Sequence, residues 1–409
     1  MNAMRTILVR CTGRDRPGIT AGLLGVLADA DVQLYDMEQV VVRERLSLDL
    51  LIGLDREDDV LKELLFRAWE QGFTLDFEVV EDTSSRAAKP RAVVTVIGQP
   101  LPPAALQAVT AAIARGGGNI DRILRLARYP VMSFEFVVVD GDIDAMRTEL
   151  VAASSEHEID VSIQRESLER RAKRLVVMDV DSTLIQDEVI ELIAAHAGCE
   201  DEVADVTARA MAGELEFADS LRERVARLAG TPASVLNEVG DSVRLTPGAR
   251  TFVRTLKRLG YTVAIVSGGF TAVTDRLKDE LMLDHAVANT LEIVDGVITG
   301  KLVGPIVDRA GKAKVLREIA QAEAIPLEQT VAVGDGANDL DMLATAGLGI
   351  AFNAKQVVRE QADTAVSVPY LDAVLFLLGI RREDVEAADA DDPAVGDDRL
   401  TPVPGVPPL

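Results

Sequence analysis

The chain has 409 residues, a formal charge of −24, and 48% hydrophobic and 27% charged residues. That length exceeds one ordinary core, so two or three domains are expected. The charge argues against nucleic acid or anionic lipid as the main partner, and no apolar run approaches the roughly 18 residues of a membrane span.

The N-terminal "MNAMRTILVRCTGRDRPG" places charge directly after a short apolar stretch, which is a poor signal peptide. The two cysteines, Cys11 and Cys199, have no partner at metal spacing. A reducing cytoplasm is therefore the expected compartment, with each cysteine a small buried apolar residue.

The first section runs to about residue 82. "TILVRC" is a strand, "GRDRPGI" a turn and "TAGLLGVLADA" a helix with an apolar stripe. "VQLYDMEQVVV" and "LSLDLLIGL" are strands around a charged turn, "VLKELLFRAWEQG" is a helix and "TLDFEVV" a strand. The order β-α-β-β-α-β is that of a ferredoxin-like domain. After the polar linker "EDTSSRAAKPR" the order repeats over 92–167, an internal repeat of roughly 85 residues found by element order rather than identity. The copies differ where the first strand meets the first helix. Copy one has "GRDRPGI", with Gly18 opening the helix, and copy two has "GQPLPPA". A glycine there lets backbone N–H groups approach a carboxylate at a helix N-terminus. On composition alone a plain turn with proline near the helix start is the favoured reading.

The third section, 172–382, alternates apolar strands with helices: "RLVVMDV", "TVAIVSG", "TVAVGDG" and "LGIAF". This implies a Rossmann-like parallel sheet covered by helices, with its site at the carboxyl ends of the strands. The first strand ends at Asp179 and Asp181, the second at Ser267, Gly268 and Gly269, and another at Asp335, followed by Asn338 and Asp339. "GKAK" brings Lys312 and Lys314 to the start of a helix.

Carboxylates from two strands repel unless a hard cation lies between them, and Mg²⁺ suits such oxygen ligands. The lysine and the Ser-Gly turn then bind phosphate oxygens. One carboxylate can attack phosphorus while a second, two residues on, shuttles protons. Singly, each motif is more often a turn or a solvated charge. Together, at successive strand ends, they are hard to read as turns. Beyond residue 382 come eight acids, one arginine, five prolines and no aromatic residue, so 383–409 is expected to be an acidic disordered tail.

"DVDST", "SGG", the lysine of "GKAK" and "GDGAND" resemble the four motifs of the haloacid dehalogenase superfamily. The nearer resemblance is to its phosphoserine phosphatase family, through "LIQDEVIELIA" and "MAGELEFADSLRERV". The two repeats resemble ACT domains, which precede the phosphatase in a mycobacterial-type subset. A small helical cap over about 186–245 is implied. The resemblance makes Asp179 the nucleophile and Asp181 the general acid/base. It gives Mg²⁺ to Asp179, the backbone carbonyl of Asp181, and Asp335. Ser267, Gly268 and Lys312 would bind phosphate, and Lys312 is preferred to Lys314 because it lies 23 residues before Asp335. Asn338 and Asp339 would organise the metal and phosphate surroundings. Glu188 would take the substrate ammonium and Arg224 its carboxylate, with Phe217 and Met211 forming the dry wall of a lid.

Phosphoserine carries an ammonium, a carboxylate and a phosphate, so a selective pocket needs an anion and a bidentate cation beside the phosphate site. On residue type alone, Glu188 and Arg224 are solvated charges, and Phe217 and Met211 pack helices. The resemblance further implies a homodimer paired through ACT domains, with L-serine or another amino acid as effector near Asp15 and Gly18. Copy two lacks the "DRPG" turn, which leaves its ligand site open. Two rivals remain: a phosphatase of the same superfamily acting on another small phosphomonoester or a phosphoprotein, and an inactive amino-acid sensor.

Overall fold

The structure, a computed structural model, describes residues 5–54, 58–80, 91–211 and 214–392. The chain divides into two compact units, Met1–Lys89 and Pro90–Leu409.

The first unit contains β1 (Arg5–Arg14), α1 (Ile19–Asp29), β2 (Gln33–Val42), β3 (Arg45–Leu54), α2 (Asp58–Glu70) and β4 (Thr74–Val80). Its antiparallel sheet has the order β2-β3-β1-β4. Burial alternates along β3, turning Leu46, Leu48, Leu50 and Ile52 inward. They meet Ile19, Leu23 and Leu27 of α1 in one core with Cys11. Burial pushes the Cys11 thiol up to about 11, so it is an inert core residue. Gly18 opens α1 at φ 92°, a left-handed conformation that favours glycine. A Cβ there would meet no atom within 4 Å, so the requirement is conformational rather than steric.

The second unit begins with β5 (Arg91–Gly98), α3 (Pro103–Arg115), β6 (Asn119–Ala127), β7 (Met132–Val139), α4 (Ile143–His157) and β8 (Asp160–Arg165), in sheet order β6-β7-β5-β8. Both halves thus repeat the order read from the sequence. Asp142 caps α4 by accepting from the N–H groups of Asp144 and Ala145. A short helix, α5 (Leu168–Arg171), leads to β9 (Leu175–Met178). Five helices follow: α6 (Val189–Ala197), α7 (Glu200–Met211), α8 (Phe217–Arg227), α9 (Val235–Ser242) and α10 (Ala249–Arg258).

Then come β10 (Thr262–Phe270), α11 (Thr271–Leu281), β11 (His285–Val294), β12 (Val297–Val303), α12 (Arg309–Ala322), β13 (Thr330–Gly334), α13 (Leu340–Thr345), β14 (Gly349–Phe352), α14 (Gln356–Arg359), β15 (Thr364–Val366), α15 (Val374–Leu377) and α16 (Arg382–Ala390). The seven-stranded sheet runs β12-β11-β10-β9-β13-β14-β15, parallel except for β12. Its central strands β9 and β13 are buried throughout, as a sheet covered on both faces requires.

Three strands go beyond those expected: the β11–β12 hairpin, turning at Asp295 and Gly296, and β15, only three residues long. The acidic stretch also departs from expectation. It starts as α16, because Asp389 accepts from Arg254 Nη2 at 2.7 Å and from Arg258 Nη1, both on α10. Tertiary ion pairing outweighs the disorder-prone composition there. Residues beyond 392 lie outside the described part.

The second repeat is packed onto the large sheet. Ile97, Leu126, Ala127 and Val131 belong to the same apolar cluster as Val176 and Met178 of β9. The buried Asp160 accepts from Ser367 N at 2.6 Å, and Gln164 Nε2 donates to the Leu377 carbonyl at 3.1 Å.

Candidate active site

Asp179 follows β9 directly and is buried. Its N–H donates to the Val333 carbonyl of β13 at 2.9 Å, which joins the two central strands just where their side chains meet. Its Oδ1 accepts from Val180 N at 2.7 Å and from Lys312 Nζ at 2.7 Å. Lys312 sits in the first turn of α12, which Asp308 caps by accepting from Gly311 N. The same Nζ donates to Asp339 Oδ1 at 2.7 Å, and Asp339 Oδ2 accepts from Gly336 N at 3.0 Å. Asp335 Oδ1 accepts from Thr183 Oγ1 at 3.1 Å.

Charge in this cluster does not balance. Burial and the charge of Asp339 push Asp179 well above the usual carboxylate range, with Lys312 opposing. Burial and Asp339 likewise raise Asp335 to about 6. Burial disfavours the Lys312 ammonium, but Asp179 and Asp339 outweigh it and hold the proton more tightly than usual. One ammonium thus faces three carboxylates.

Asp179, Asp335 and Asp339 each offer an oxygen within 4.8 Å of the others. A hard divalent cation fits this oxygen-only, under-compensated set. Both Asp339 oxygens already accept hydrogen bonds, so Asp339 also serves as the anchor of Lys312. The Asp181 carboxylate is turned elsewhere: Oδ1 accepts from Val189 N and Oδ2 from Ser267 Oγ, each at 2.8 Å. It therefore lies beside the Ser-Gly turn, and its side chain is not in the three-carboxylate cluster.

Two cavities adjoin these groups. The inner one, about 180 Å³, is lined by Asp179, Asp181, Glu188, Arg224, Gly268 and Asn338 among others. The outer one, about 880 Å³, shares Glu188, Phe217, Arg224, Asp335 and Asn338 with it. Glu188 precedes α6 and accepts from Ser182 Oγ at 2.8 Å. Burial next to Asp181 pushes it up to about 7. Burial pulls Arg224 below its usual value, and its buried Nε has no acceptor among the described residues. A buried guanidinium donor without a partner is costly unless a ligand supplies one. Phe217 opens α8 and lies against the Ser-Gly turn: a Cβ on Gly268 would stand 3.0 Å from its ring.

The structure therefore brings Asp179, Asp181, Glu188, Arg224, Phe217, Ser267, Gly268, Lys312, Asp335, Asn338 and Asp339 to one edge of the sheet. The Met211 side chain lies outside the described part. Asp15 and Gly18 lie in the first unit, on the turn between β1 and α1, where Asp15 N donates to the Glu44 carbonyl at 2.8 Å. Lys314, the alternative lysine, is exposed and pairs with Glu318 one turn along α12.

The sequence assigns no role to Ser182 and Thr183, the two hydroxyls after Asp181, or to Thr246. Thr246 Oγ1 donates to the Thr183 carbonyl at 2.7 Å and so ties the loop after β9 to the turn before α10. A hydroxyl gives little signal by type, since its partners are set by the fold. Ser182 carried one clue, its place directly after Asp181.

Comparison with known proteins agrees with this geometry. Residues 176–344 match the haloacid dehalogenase-like hydrolase family, and residues 5–78 and 91–164 each match an ACT domain family. The phosphoserine phosphatase of Streptomyces coelicolor is 57% identical over 396 residues, covering 95% of this chain and 96% of the relative. That of Mycobacterium tuberculosis is 48% identical over 398 residues, covering 96% and 97%. Among solved structures, a probable phosphoserine phosphatase from Vibrio cholerae superposes with a TM-score of 0.57 at 38% identity, over 70% of this chain and 86% of that one. A haloacid dehalogenase family hydrolase from Salmonella enterica serovar Typhi gives a TM-score of 0.63 at 31% identity, over 70% and 98%. Similarity of this extent, running through both repeats and the catalytic sheet, places the chain in the phosphoserine phosphatase family of the haloacid dehalogenase-like hydrolases, with two ACT domains ahead of the catalytic one.

Proposed function

We propose that the chain hydrolyses O-phospho-L-serine to L-serine and inorganic phosphate, the closing reaction of serine synthesis, through an aspartyl-phosphate. The observation that carries the substrate is the pairing, in one cavity of about 180 Å³, of Glu188 with Arg224. Arg224 has a buried donor awaiting an acceptor, which a substrate carboxylate supplies. Glu188, raised by burial, regains its charge beside a substrate ammonium.

Asp179 Oδ1 is engaged by Val180 and Lys312, which leaves Oδ2 as the attacking oxygen. It forms the bond to phosphorus as the seryl oxygen departs with a proton from Asp181. Asp181 then takes a proton from water, whose oxygen attacks phosphorus and releases Asp179. Ser267, Gly268 and Lys312 hold the phosphate oxygens during both transfers, and Asn338 and Asp339 support them. Asp179, Asp335 and the Asp181 carbonyl would hold Mg²⁺, which offsets charge on the transferring group when bound. Phe217, against the Ser-Gly turn, excludes water from the closed site. Domains of 1–82, 92–167 and 172–382 belong to this reading, and its helical cap over about 186–245 takes support from the four consecutive helices α6–α9 in that stretch.

The ACT domains are the seat of an amino-acid effector, with Asp15 and Gly18 of the first as its contacts. The chain pairs as a homodimer through these domains. In support, β2 is an edge strand that exposes Tyr35, Met37, Val40 and Val41. No described helix is long and apolar enough to cross a membrane, and a cytoplasmic enzyme fits the two free cysteines.

Phosphate release from O-phospho-L-serine and from several other phosphomonoesters tests the reading, for wild type and Asp179→Asn, with Mg²⁺ and with chelator. Selective release that vanishes in the variant and in chelator is expected. Equal turnover of many esters would overturn the substrate, and no turnover of any would overturn the activity.

A further inference from the structure

Asn289 is the residue in question. It lies within β11, is 2% exposed, and touches no group so far assigned to the reaction by charge. Asparagine is depleted in strands, and a buried amide must satisfy both its donor and its acceptor. Here both are used. Nδ2 donates to the Gly268 carbonyl at 2.8 Å, and Oδ1 accepts from Val307 N at 2.8 Å.

These two partners belong to the two halves of the phosphate site. β10 and β11 pair in parallel, but their register shifts between Val266 and Phe270, where the strand bulges through Ser267, Gly268 and Gly269. The peptide between Gly268 and Gly269 is held at both of its polar ends. Its carbonyl accepts from Asn289, and its N–H donates to Ser267 Oγ at 2.7 Å. Ser267 Oγ in turn donates to Asp181 Oδ2. On the other side, Val307 immediately precedes Asp308. Asp308 caps α12, and its carbonyl accepts from Lys312 N at 2.8 Å. One hydrogen-bonded path thus runs from the proton-carrying Asp181, through the Ser-Gly turn and the Asn289 amide, to the helix start that carries Lys312.

We infer that Asn289 is a positioning residue: its buried amide sets the distance between the backbone that binds the phosphate and the ammonium that binds it. This rests on reading Ser267, Gly268 and Lys312 as the phosphate cradle. The physical reason is that the two halves come from different strand-to-helix connections, with no backbone hydrogen bond described between them. Misplacement of such a pair by a fraction of an ångström weakens every contact to the transferring group. The amide is suited to the task because it is a donor toward one connection and an acceptor toward the other. An apolar residue of similar volume fills the space without linking them.

The test uses full-length protein with Mg²⁺ present: Asn289→Leu, which keeps the branching and the number of heavy atoms but cannot hydrogen-bond, and Asn289→Ala. Leu291→Ala, a core truncation on the same strand, serves as control. Inorganic phosphate binding is measured by calorimetry, kcat and KM for O-phospho-L-serine by phosphate release, and Tm by thermal melting. Both Asn289 variants are expected to bind phosphate about 10- to 100-fold more weakly and to lose kcat/KM in parallel, the range seen when groups that orient ligating residues are removed. Leu291→Ala is expected to lower Tm with phosphate affinity within about twofold of wild type, because it leaves these hydrogen bonds in place.

Phosphate affinity near the wild-type value in a folded Asn289 variant would overturn the inference. So would an equal loss in Leu291→Ala at the same Tm, or failure of both Asn289 variants to fold, either of which makes Asn289 a structural residue. A wild type that binds phosphate without hydrolysing phosphoserine would sink the substrate and leave the cradle standing. A wild type that binds no phosphate would sink the cradle with it.

Discussion

Ser182 donates its hydroxyl hydrogen to Glu188 Oε1 across 2.8 Å, from a backbone at φ 57°. Glycine adopts that conformation without strain, so a serine there points to work done by its hydroxyl. Ser182→Gly keeps the backbone and deletes the bond. For O-phospho-L-serine, kcat/KM is expected to fall about tenfold, as for loss of one hydrogen bond to a charged group. Turnover of p-nitrophenyl phosphate, which has no ammonium, is expected to change by less than about twofold, since uniform loss is not involved. Equal losses on both esters would show that Ser182 serves the catalytic loop and not Glu188. Glu188→Gln provides the reference for full loss of ammonium recognition.

Lys312 is buried between Asp179 and Asp339. Lys312→Ala leaves both carboxylates without their cation, and breaking a buried pair in this way costs about 3–5 kcal/mol. Urea unfolding measures it. Mg²⁺ is expected to raise the wild-type Tm, because an ion at 100-fold its Kd adds about 2.7 kcal/mol by mass action. Asp335→Asn is expected to lose most of that Mg²⁺-dependent rise. An unchanged rise would remove Asp335 from the metal site.

Asp389 gives a pH dependence with a definite sign. Burial raises its pKa, but hydrogen bonds and charge from Arg254 and Arg258 outweigh burial and hold it below the usual carboxylate range. A depressed folded value means that the contribution is complete well above the unfolded pKa of about 3.9 and fades as pH falls through that value toward the folded one. Wild type is therefore expected to be more stable than Asp389→Asn at pH 7, with the gap closing below about pH 4. Thermal melts from neutral to acid pH read the gap. A gap independent of pH would locate the effect in packing of α16.

Glu135 and Arg170 form a buried ion pair at 2.6 Å, with side chains 10% and 8% exposed. Arg170 Nε already lacks an acceptor among the described residues. Glu135→Ala is expected to destabilise the chain by about 3–5 kcal/mol, because the guanidinium is left buried and unpaired. Replacing both residues with apolar ones of similar volume is expected to recover much of it. Double-mutant unfolding decides between these outcomes.

The strand-end motifs were legible because each is a local event: an apolar run that stops at a carboxylate or a glycine. Thus Asp179, Asp181, Ser267 and Asp335 could be placed at one edge from order alone. β11 and β12 were missed although Asp295 and Gly296 form a two-residue hairpin signal. β15 has three residues and no periodicity to find. α16 was hidden by its own acidity, since what makes it a helix is a pair of arginines more than 120 residues earlier in the chain, which no local pattern announces. The same limit hid Asn289, whose importance lies wholly in two partners, each about 20 residues away.

The shared apolar cluster puts the two ACT copies on different evolutionary footings. The first is a compact unit with its own core, Met1–Lys89. The second contributes Ile97, Leu126, Ala127 and Val131 to the core that holds the catalytic strands. Shedding it would expose that core to water, so each step toward a shorter enzyme must be accompanied by new polar residues on the catalytic domain. Drift in the second copy is accordingly coupled to the enzyme it covers.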